Sequence, residues 1–297
     1  MSDNYANFRD QVPALTEDQL REQAPSLFQT KAHPDRSSRF VAIPTIEVIL
    51  ALQTEGFDVI RAIQRASRAG HELYTKHLIT LRQRDGAMMW RDGSDIAVFE
   101  INLANANDGS SPYALFAALW RKVCDNGLMC STDTVEHLKV KHIGDTAKNV
   151  VAASFALLGK HNAVFNTVSE WRETFLDRAE RQAYAESAHA IRFGATNTLI
   201  RPHQLLEARR VEDHSHDLWT IFNVTQENII KGGLLGQARD VTKARAKKRT
   251  TRPVNALDRL VRMNTLLWAF TKCFADLKHG RAQHLPASLV MTETFQR

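Results

Sequence analysis

The sequence predicts an α+β protein in which an antiparallel three- to four-stranded meander with packed helices is followed by a helical C-terminal half. Two patterns predict this class. Polar and apolar residues alternate in three runs between residues 57 and 103, which is typical of half-buried antiparallel strands. After Asp145 the apolar residues recur at helical spacing instead. At 297 residues, the chain is long enough for one large domain or two smaller ones.

The composition excludes wholesale disorder and favours an anionic partner. Hydrophobic residues make up 43% of the chain and charged residues 24%, both ordinary for a globular protein. Lys and Arg outnumber Asp and Glu by 39 to 33, which gives a net charge of +6. Such an excess favours polyanions such as nucleic acid, since each phosphate neutralised by Lys or Arg releases a bound counterion.

The sequence indicates a cytoplasmic protein. Residues Met1 to Asn4 carry neither the positive charge nor the apolar run of a signal peptide. No window approaches the ~18 consecutive apolar residues of a membrane span, so no membrane partner is expected. The three cysteines have no metal-ligand or redox spacing. We therefore expect neither a metal site nor a cofactor.

Residues 1–40 are predicted to form an N-terminal arm that lies over the core or over a partner. The arm is polar and contains Pro13, Pro25 and Pro34. Within it, Thr16 is a suitable N-cap for a short helix that ends near Gln23.

Residues 41–145 are predicted to form the α+β core. Its first helix begins at Pro44 and Thr45 and ends before Gly56. Alternating residues then predict strands over 57–65, 73–81 and 96–103.

A second helix of the core is expected from Pro112 to Asp125. Ser111 is a natural N-cap, and proline is favoured at the first helical position that follows it. A further strand is expected over residues 128–142, which completes the core.

The remaining regions are predicted to be a helical region at 146–235, a basic loop at 236–254 and a C-terminal helix and tail at 255–297. The expected helices cover residues 146–175, 178–193, 202–210, 217–231 and 255–277. The order of elements therefore changes from mixed to helical after residue 145.

The basic loop is the strongest charge feature of the sequence. Between Gly236 and Pro253 there are seven basic residues and one acidic residue, Asp240. With few apolar residues, the segment is predicted to be a mobile loop or a fraying helix. Charge of nearly one sign favours a phosphate-binding arm over an ordinary solvated loop, which is the alternative. The candidate residues are Lys243, Arg245, Lys247, Lys248, Arg249 and Arg252.

A second group of basic residues lies on the predicted strands. A cationic strip with an aromatic residue can follow a nucleic-acid backbone and stack a base, as single-strand binders do. The alternative is the normal polar face of a half-exposed sheet. The candidate residues are Arg61, Arg65, Arg68, Tyr74, Lys76, Arg82 and Arg84.

No sequence motif for catalysis is present, so no catalytic residue is predicted and the protein is expected not to be an enzyme. The chain has no phosphate-binding glycine loop, nucleophile elbow or paired metal motif. His214 and His216 do not share a helix face, which disfavours a metal site. A site assembled in space, such as His77 with Glu100, stays open. On the helix over 217–231, the polar groups Asn223, Gln226 and Glu227 are expected to be available for a partner.

Several segments resemble one known family. They are Tyr74–His77, Asn107–Ser111, Trp120–Leu128, the run from Leu218 to Asn228, and Gly232 with Gly233. Together they are similar to the phage/plasmid-like family of unknown function, over about residues 38 to 275. That family commonly has Ser-His-Asp-Gly where this chain has Asn-Ala-Asn-Asp-Gly, so the family histidine has no counterpart here. The resemblance implies a phage or mobile-element setting and no particular activity.

The predicted order of helix, three strands and helix also resembles, more weakly, the core of phage single-strand annealing proteins. This second resemblance implies single-stranded DNA binding and annealing in recombination, by a homo-oligomeric ring or filament. One alternative is an anti-defence or regulatory protein whose basic surface binds an acidic host protein. The other is a metal-dependent nuclease. DNA binding should weaken steeply with salt and should need no protein partner.

Overall fold

The computed structural model describes residues 12–31, 44–64, 72–84, 88–106, 111–122, 126–130, 138–141, 145–194, 199–238 and 247–282. The chain divides into two compact units, Met1–Asn162 and Ala163–Arg297. The predicted α+β class is confirmed, because an antiparallel sheet dominates the first unit and helices dominate the second.

The helical elements of the first unit lie mostly before and after its sheet. They are α1 (Glu17–Gln23), a 3-10 helix (Pro25–Phe28), α2 (Thr45–Thr54), a second 3-10 helix (Glu72–Tyr74) and α3 (Thr146–Leu158). The predicted cap is confirmed, since Thr16 and Gln19 form a reciprocal capping box at the start of α1. The arm is fixed to the sheet through the Leu15 N–H, which donates to the Val59 carbonyl at 2.7 Å.

The sheet of the first unit has seven described strands, all paired antiparallel. They are β1 (Phe57–Gln64), β2 (His77–Gln83), β3 (Met89–Asp92), β4 (Asp95–Ala106), β5 (Ser111–Arg121), β6 (Asn126–Cys130) and β7 (Leu138–Val140). The order is β1-β2-β4-β5-β6, with β3 beside β4 and β7 beside β5. The three strands predicted between residues 57 and 103 are thus present, although the second begins four residues later than expected.

The helix predicted from Pro112 to Asp125 is wrong, because residues 111–121 form strand β5. Leu115 and Leu119 lie on one face of that strand, Ala114 and Ala118 on the other, and all four are buried. A strand buried on both faces is continuously apolar and does not alternate, so its periodicity cannot be told from that of a buried helix.

Strand β4 is the centre of the sheet, and all twelve of its residues are buried. Its buried polar side chains are hydrogen-bonded to neighbouring elements. The pairs are Asp95 with Arg121, Glu100 with Arg82, Asn102 with Thr80, and Asn105 with Thr45. The interior of this unit therefore contains polar side chains that are hydrogen-bonded to one another.

The second unit is built from helices and one hairpin. Its elements are α4 (His161–Glu173, which begins at the end of the first unit), α5 (Arg178–Phe193), a 3-10 helix (Pro202–Leu206), a second 3-10 helix (Val211–Asp213), α6 (Leu218–Lys231), β8 (Leu235–Ala238), β9 (Lys247–Thr250) and α7 (Leu257–Lys278). Trp171, Phe222 and Trp268 form its aromatic centre, with ring centroids 4.6 to 5.6 Å apart. In the described parts of the chain, no helix has both the length and the apolarity of a membrane span.

Helix α6 is buried on every side, which corrects the expectation that its polar residues are available for a partner. Asn223, Gln226 and Glu227 are 1 to 3% exposed. Gln226 donates to Asn264 of α7 at 2.8 Å, and Glu227 forms ion pairs with Arg210 and Lys231. The polar residues of this helix therefore make contacts inside the unit and are not available to a partner.

Candidate nucleic-acid interface

The structure places two of the predicted sheet cations in ion pairs. Arg82 is 6% exposed and lies 2.5 Å from Glu100, with its guanidinium 5.6 Å from the ring centroid of Trp120. Arg84 is partly exposed and pairs with Asp58 at 2.9 Å. Each of these two positive charges is already neutralised by a carboxylate.

The other predicted sheet residues do not form one strip with them. Arg61 lies on β1, whereas Tyr74 ends a 3-10 helix and Lys76 immediately precedes β2, so strand alternation does not align these side chains with Arg82. Arg61, Tyr74 and Lys76 are half-buried, and each already interacts with other groups of the protein. Arg65 and Arg68 lie outside the described residues.

The two ends of the predicted basic loop are strands β8 and β9, which pair antiparallel with each other. We call this strand pair the hairpin. Strands β8 and β9 pair Gln237 with Lys248 and Gly236 with Arg249. Lys243 and Arg245 lie outside the described residues, and Lys247 is the first residue of β9. Strand β9 has the sequence Lys-Lys-Arg-Thr, in which polar and apolar residues do not alternate, so no local pattern predicts a strand there.

The base of this hairpin is held by tertiary contacts. The Gly233 N–H donates to the Thr251 carbonyl and the Thr251 N–H to the Leu234 carbonyl, each at 2.9 Å. Gly236 packs so closely on the backbone that an added Cβ would lie 1.9 Å from the Leu199 carbonyl oxygen. These tertiary contacts hold the two strands in place. The strands therefore form without the apolar alternation that usually predicts a strand.

Five positive side chains lie on and beside the hairpin. We define the basic surface as Arg192 of α5, Lys248 and Arg249 of β9, Arg252, and Arg259 of α7. All are exposed except Arg192, which is half-buried and donates to the Arg252 carbonyl at 3.4 Å. None of the five forms an ion pair with a carboxylate in the described parts of the chain.

Two positive charges of the basic surface, those of Arg192 and Arg259, lie close enough to interact. Burial and the nearby Arg259 guanidinium together lower the pKa of Arg192. The Nε atom of Arg192 is also buried without a hydrogen-bond partner among the described residues. A bound anion would relieve both the repulsion and the missing hydrogen bond.

The sequence predicts three of the five residues of the basic surface. Lys248, Arg249 and Arg252 were predicted from the local density of charge. Arg192 and Arg259 were missed because each is one cation on a helix of mixed charge, and they are far apart along the sequence. Only the packing of α5 and α7 brings them together.

His77 and Glu100, the pair left open for catalysis, belong to separate networks. His77 is fully buried, with its ring nitrogens 2.8 Å from the Ser26 hydroxyl and 2.9 Å from the Thr45 hydroxyl. Burial lowers the pKa of His77 to about 4, so the ring is neutral at pH 7. This network connects the arm, helix α2 and strand β2, and it has a structural role.

His214 and His216 line a cavity in the second unit. Across the described ranges, no group of three or more His, Cys, Asp or Glu side chains is arranged to hold a metal ion.

Comparison with known proteins identifies the family. Residues 32–268 match the family described as "Domain of unknown function (DUF932)". The chain is 36% identical over 263 residues to the UPF0380 protein YafZ of Escherichia coli (strain K12), covering 87% of this chain and 90% of that protein. It is 35% identical, with the same coverage, to the UPF0380 protein YfjQ of the same organism. No solved structure matches the chain. The expectation of a family without an assigned activity is confirmed, and the chain belongs to the DUF932 family.

Proposed function

We propose that this protein binds nucleic acid through its basic surface, with single-stranded DNA as the main ligand and strand annealing in recombination as the activity. The observation that carries the proposal is the absence of carboxylate partners for the five cations of that surface within the described residues. Arginine suits this role because its planar guanidinium binds phosphate through paired hydrogen bonds. The proposal places the protein in the cytoplasm.

An aromatic residue beside the cations of the basic surface supports binding to a single strand. Lys248 and Arg249 are neighbours on β9, so their side chains leave opposite faces of the hairpin. Phe193 is half-buried, with the Arg192 guanidinium 5.1 Å from its ring centroid. Single-strand binders combine cations for the phosphates with aromatic side chains for the bases.

The annealing activity rests on this surface and not on fold resemblance. The weak resemblance to annealing proteins assumed a helix over residues 112–125, where the structure has strand β5. Annealing also needs more than one binding surface to bring two strands together. The proposal therefore includes assembly into a homo-oligomer.

Salt-dependent binding tests the proposal. We would measure fluorescence anisotropy of labelled single-stranded DNA, duplex DNA and RNA over a salt series. Replacing Lys248, Arg249 and Arg252 by Gln should reduce affinity and lower the logarithmic salt slope for single strands by roughly 2, at ~0.7 per phosphate contact. The matched control replaces three exposed lysines of the first unit, Lys122, Lys139 and Lys141, by Gln.

The control separates a binding surface from net charge. Both triple variants lose three positive charges, so equal losses of affinity would contradict the assignment to the hairpin. Binding curves that coincide with those of the parent would reject it outright. Magnesium-dependent shortening of the labelled strand would favour the nuclease alternative, and capture of an acidic protein without DNA binding would favour the host-protein alternative.

A further inference from the structure

A second candidate site lies in the second unit, in a cavity of about 350 Å³. Leu206, Ile221 and Val224 are its apolar lining residues, and Arg181, His214 and His216 also line it. Both histidines are exposed and Arg181 is half-buried. The cavity thus joins an apolar surface to several hydrogen-bond donors.

The charges around the cavity favour an anionic ligand. The one carboxylate that lines it, Asp213, is 4% exposed and is paired with Arg210 at 3.0 Å. Arg181 donates to the Leu176 carbonyl at 3.2 Å and has no carboxylate partner among the residues that the structure describes. Arg181 therefore brings a positive charge to the cavity that no carboxylate in the described parts of the chain neutralises.

An exposed aromatic residue, Phe175, precedes a residue whose backbone contacts the cavity lining. Phe175 is 62% exposed, and its backbone forms an isolated β-bridge with Asp217. The next residue, Leu176, donates its N–H to the His216 carbonyl at 3.0 Å and accepts from Arg181. The backbone next to Phe175 is therefore hydrogen-bonded to two cavity-lining residues, His216 and Arg181.

We propose that this cavity binds one nucleotide, meaning a nucleobase, a sugar and a phosphate. Arg181 and the two imidazoles would hold the phosphate, and Phe175 with the apolar wall would contact the base. The volume lies near the low end of ligand pockets, which span roughly 300–1,000 Å³, so it suits a single nucleotide. The nucleotide is either free in solution or the terminal unit of a strand, and the site does not depend on the basic surface.

Titration calorimetry with AMP, TMP and inorganic phosphate tests this site. Arg181→Gln should weaken binding of both nucleotides and of phosphate by about tenfold or more, because a charge-assisted hydrogen bond is lost. Phe175→Ala should weaken both nucleotides by about tenfold, as expected for lost stacking on a base, and leave phosphate binding unchanged. Arg178→Gln and Leu50→Ala are matched controls at exposed positions and should change neither.

The outcomes distinguish this proposal from the basic surface. The Lys248, Arg249 and Arg252 triple variant should bind mononucleotides like the parent. Loss of mononucleotide binding in that variant, or no binding by the parent at millimolar nucleotide, would overturn the cavity assignment and leave the hairpin proposal untouched. Competition between AMP and a labelled oligonucleotide would identify the ligand as part of a strand, and binding without competition would identify a free nucleotide.

Discussion

Arg82 and Glu100 form an ion pair between strands β2 and β4, and the two side chains are only 6% and 3% exposed. Arg82, one of the residues predicted to bind nucleic acid, thus neutralises a carboxylate inside the sheet. Lys248 and Arg249 of β9 have no such partner among the described residues. The hairpin is therefore a better candidate than the sheet for binding nucleic acid.

Replacing Arg82 should destabilise the protein strongly. Arg82→Met is expected to lower the free energy of unfolding by about 3–5 kcal/mol, because it leaves the Glu100 carboxylate buried without its partner. The double variant Arg82→Met with Glu100→Leu should recover much of that loss. Urea denaturation measures both.

The neighbouring surface pair is the control for that experiment. Arg84→Met breaks the more exposed pair with Asp58 and should cost about 1 kcal/mol or less. Equal losses for Arg82→Met and Arg84→Met would show that burial does not set the value of the first pair.

His77 should make stability depend on pH. Its folded pKa is about 4 and its ordinary value is 6.5, so the unfolded chain binds the proton more readily. Its contribution is fully present above pH 6.5 and is lost as the pH falls toward 4. The total loss is about 3 kcal/mol, at ~1.4 kcal/mol per pKa unit.

Denaturation from pH 7.5 to pH 4 checks this dependence. The stability difference between the parent and His77→Gln should shrink by about 3 kcal/mol over that window, since the variant has no imidazole to protonate. His203→Gln, at an exposed position, serves as the reference. A constant difference across the window would mean that His77 is not buried as a neutral ring.

Gly236→Ala should disturb the anchoring of the hairpin. The new methyl group would lie 1.9 Å from the Leu199 carbonyl oxygen, so the backbone must move at a cost of roughly 1–3 kcal/mol. Gly159→Ala is the matched control, because its nearest neighbours would be at an ordinary 3.5 Å. Thermal unfolding compares the two, and an unshifted midpoint for Gly236→Ala would contradict the close packing of β8.

The proposed annealing activity predicts assembly. A protein that holds a strand without reading its sequence gains affinity by repeating its site along that strand. Light scattering on the purified protein, alone and with long single strands, should show a homo-oligomer. A monomer under both conditions would count against annealing while leaving simple DNA binding open.

Local signals explain which elements the sequence could predict. Helix α5 has the predicted bounds, and local signals set both ends, since Asp177 caps its start and Gly194 follows its end. Strand β5 and the hairpin of β8 and β9 could not be predicted, since their stability comes from pairing and packing with distant residues. The same limit applies to the basic surface, where Arg192 and Arg259 meet only in the folded unit.

Strand β4 has a consequence for the motions of the first unit. It pairs with β2, β3 and β5 and exposes none of its residues, whereas β1 lies at an edge of the sheet. Fraying at that edge leaves the hydrogen bonds of β4 intact, so its amide protons can exchange with deuterium only when the whole unit opens. The slowest exchange in β4 therefore reports the global stability of the unit, while exchange in β1 reports local opening.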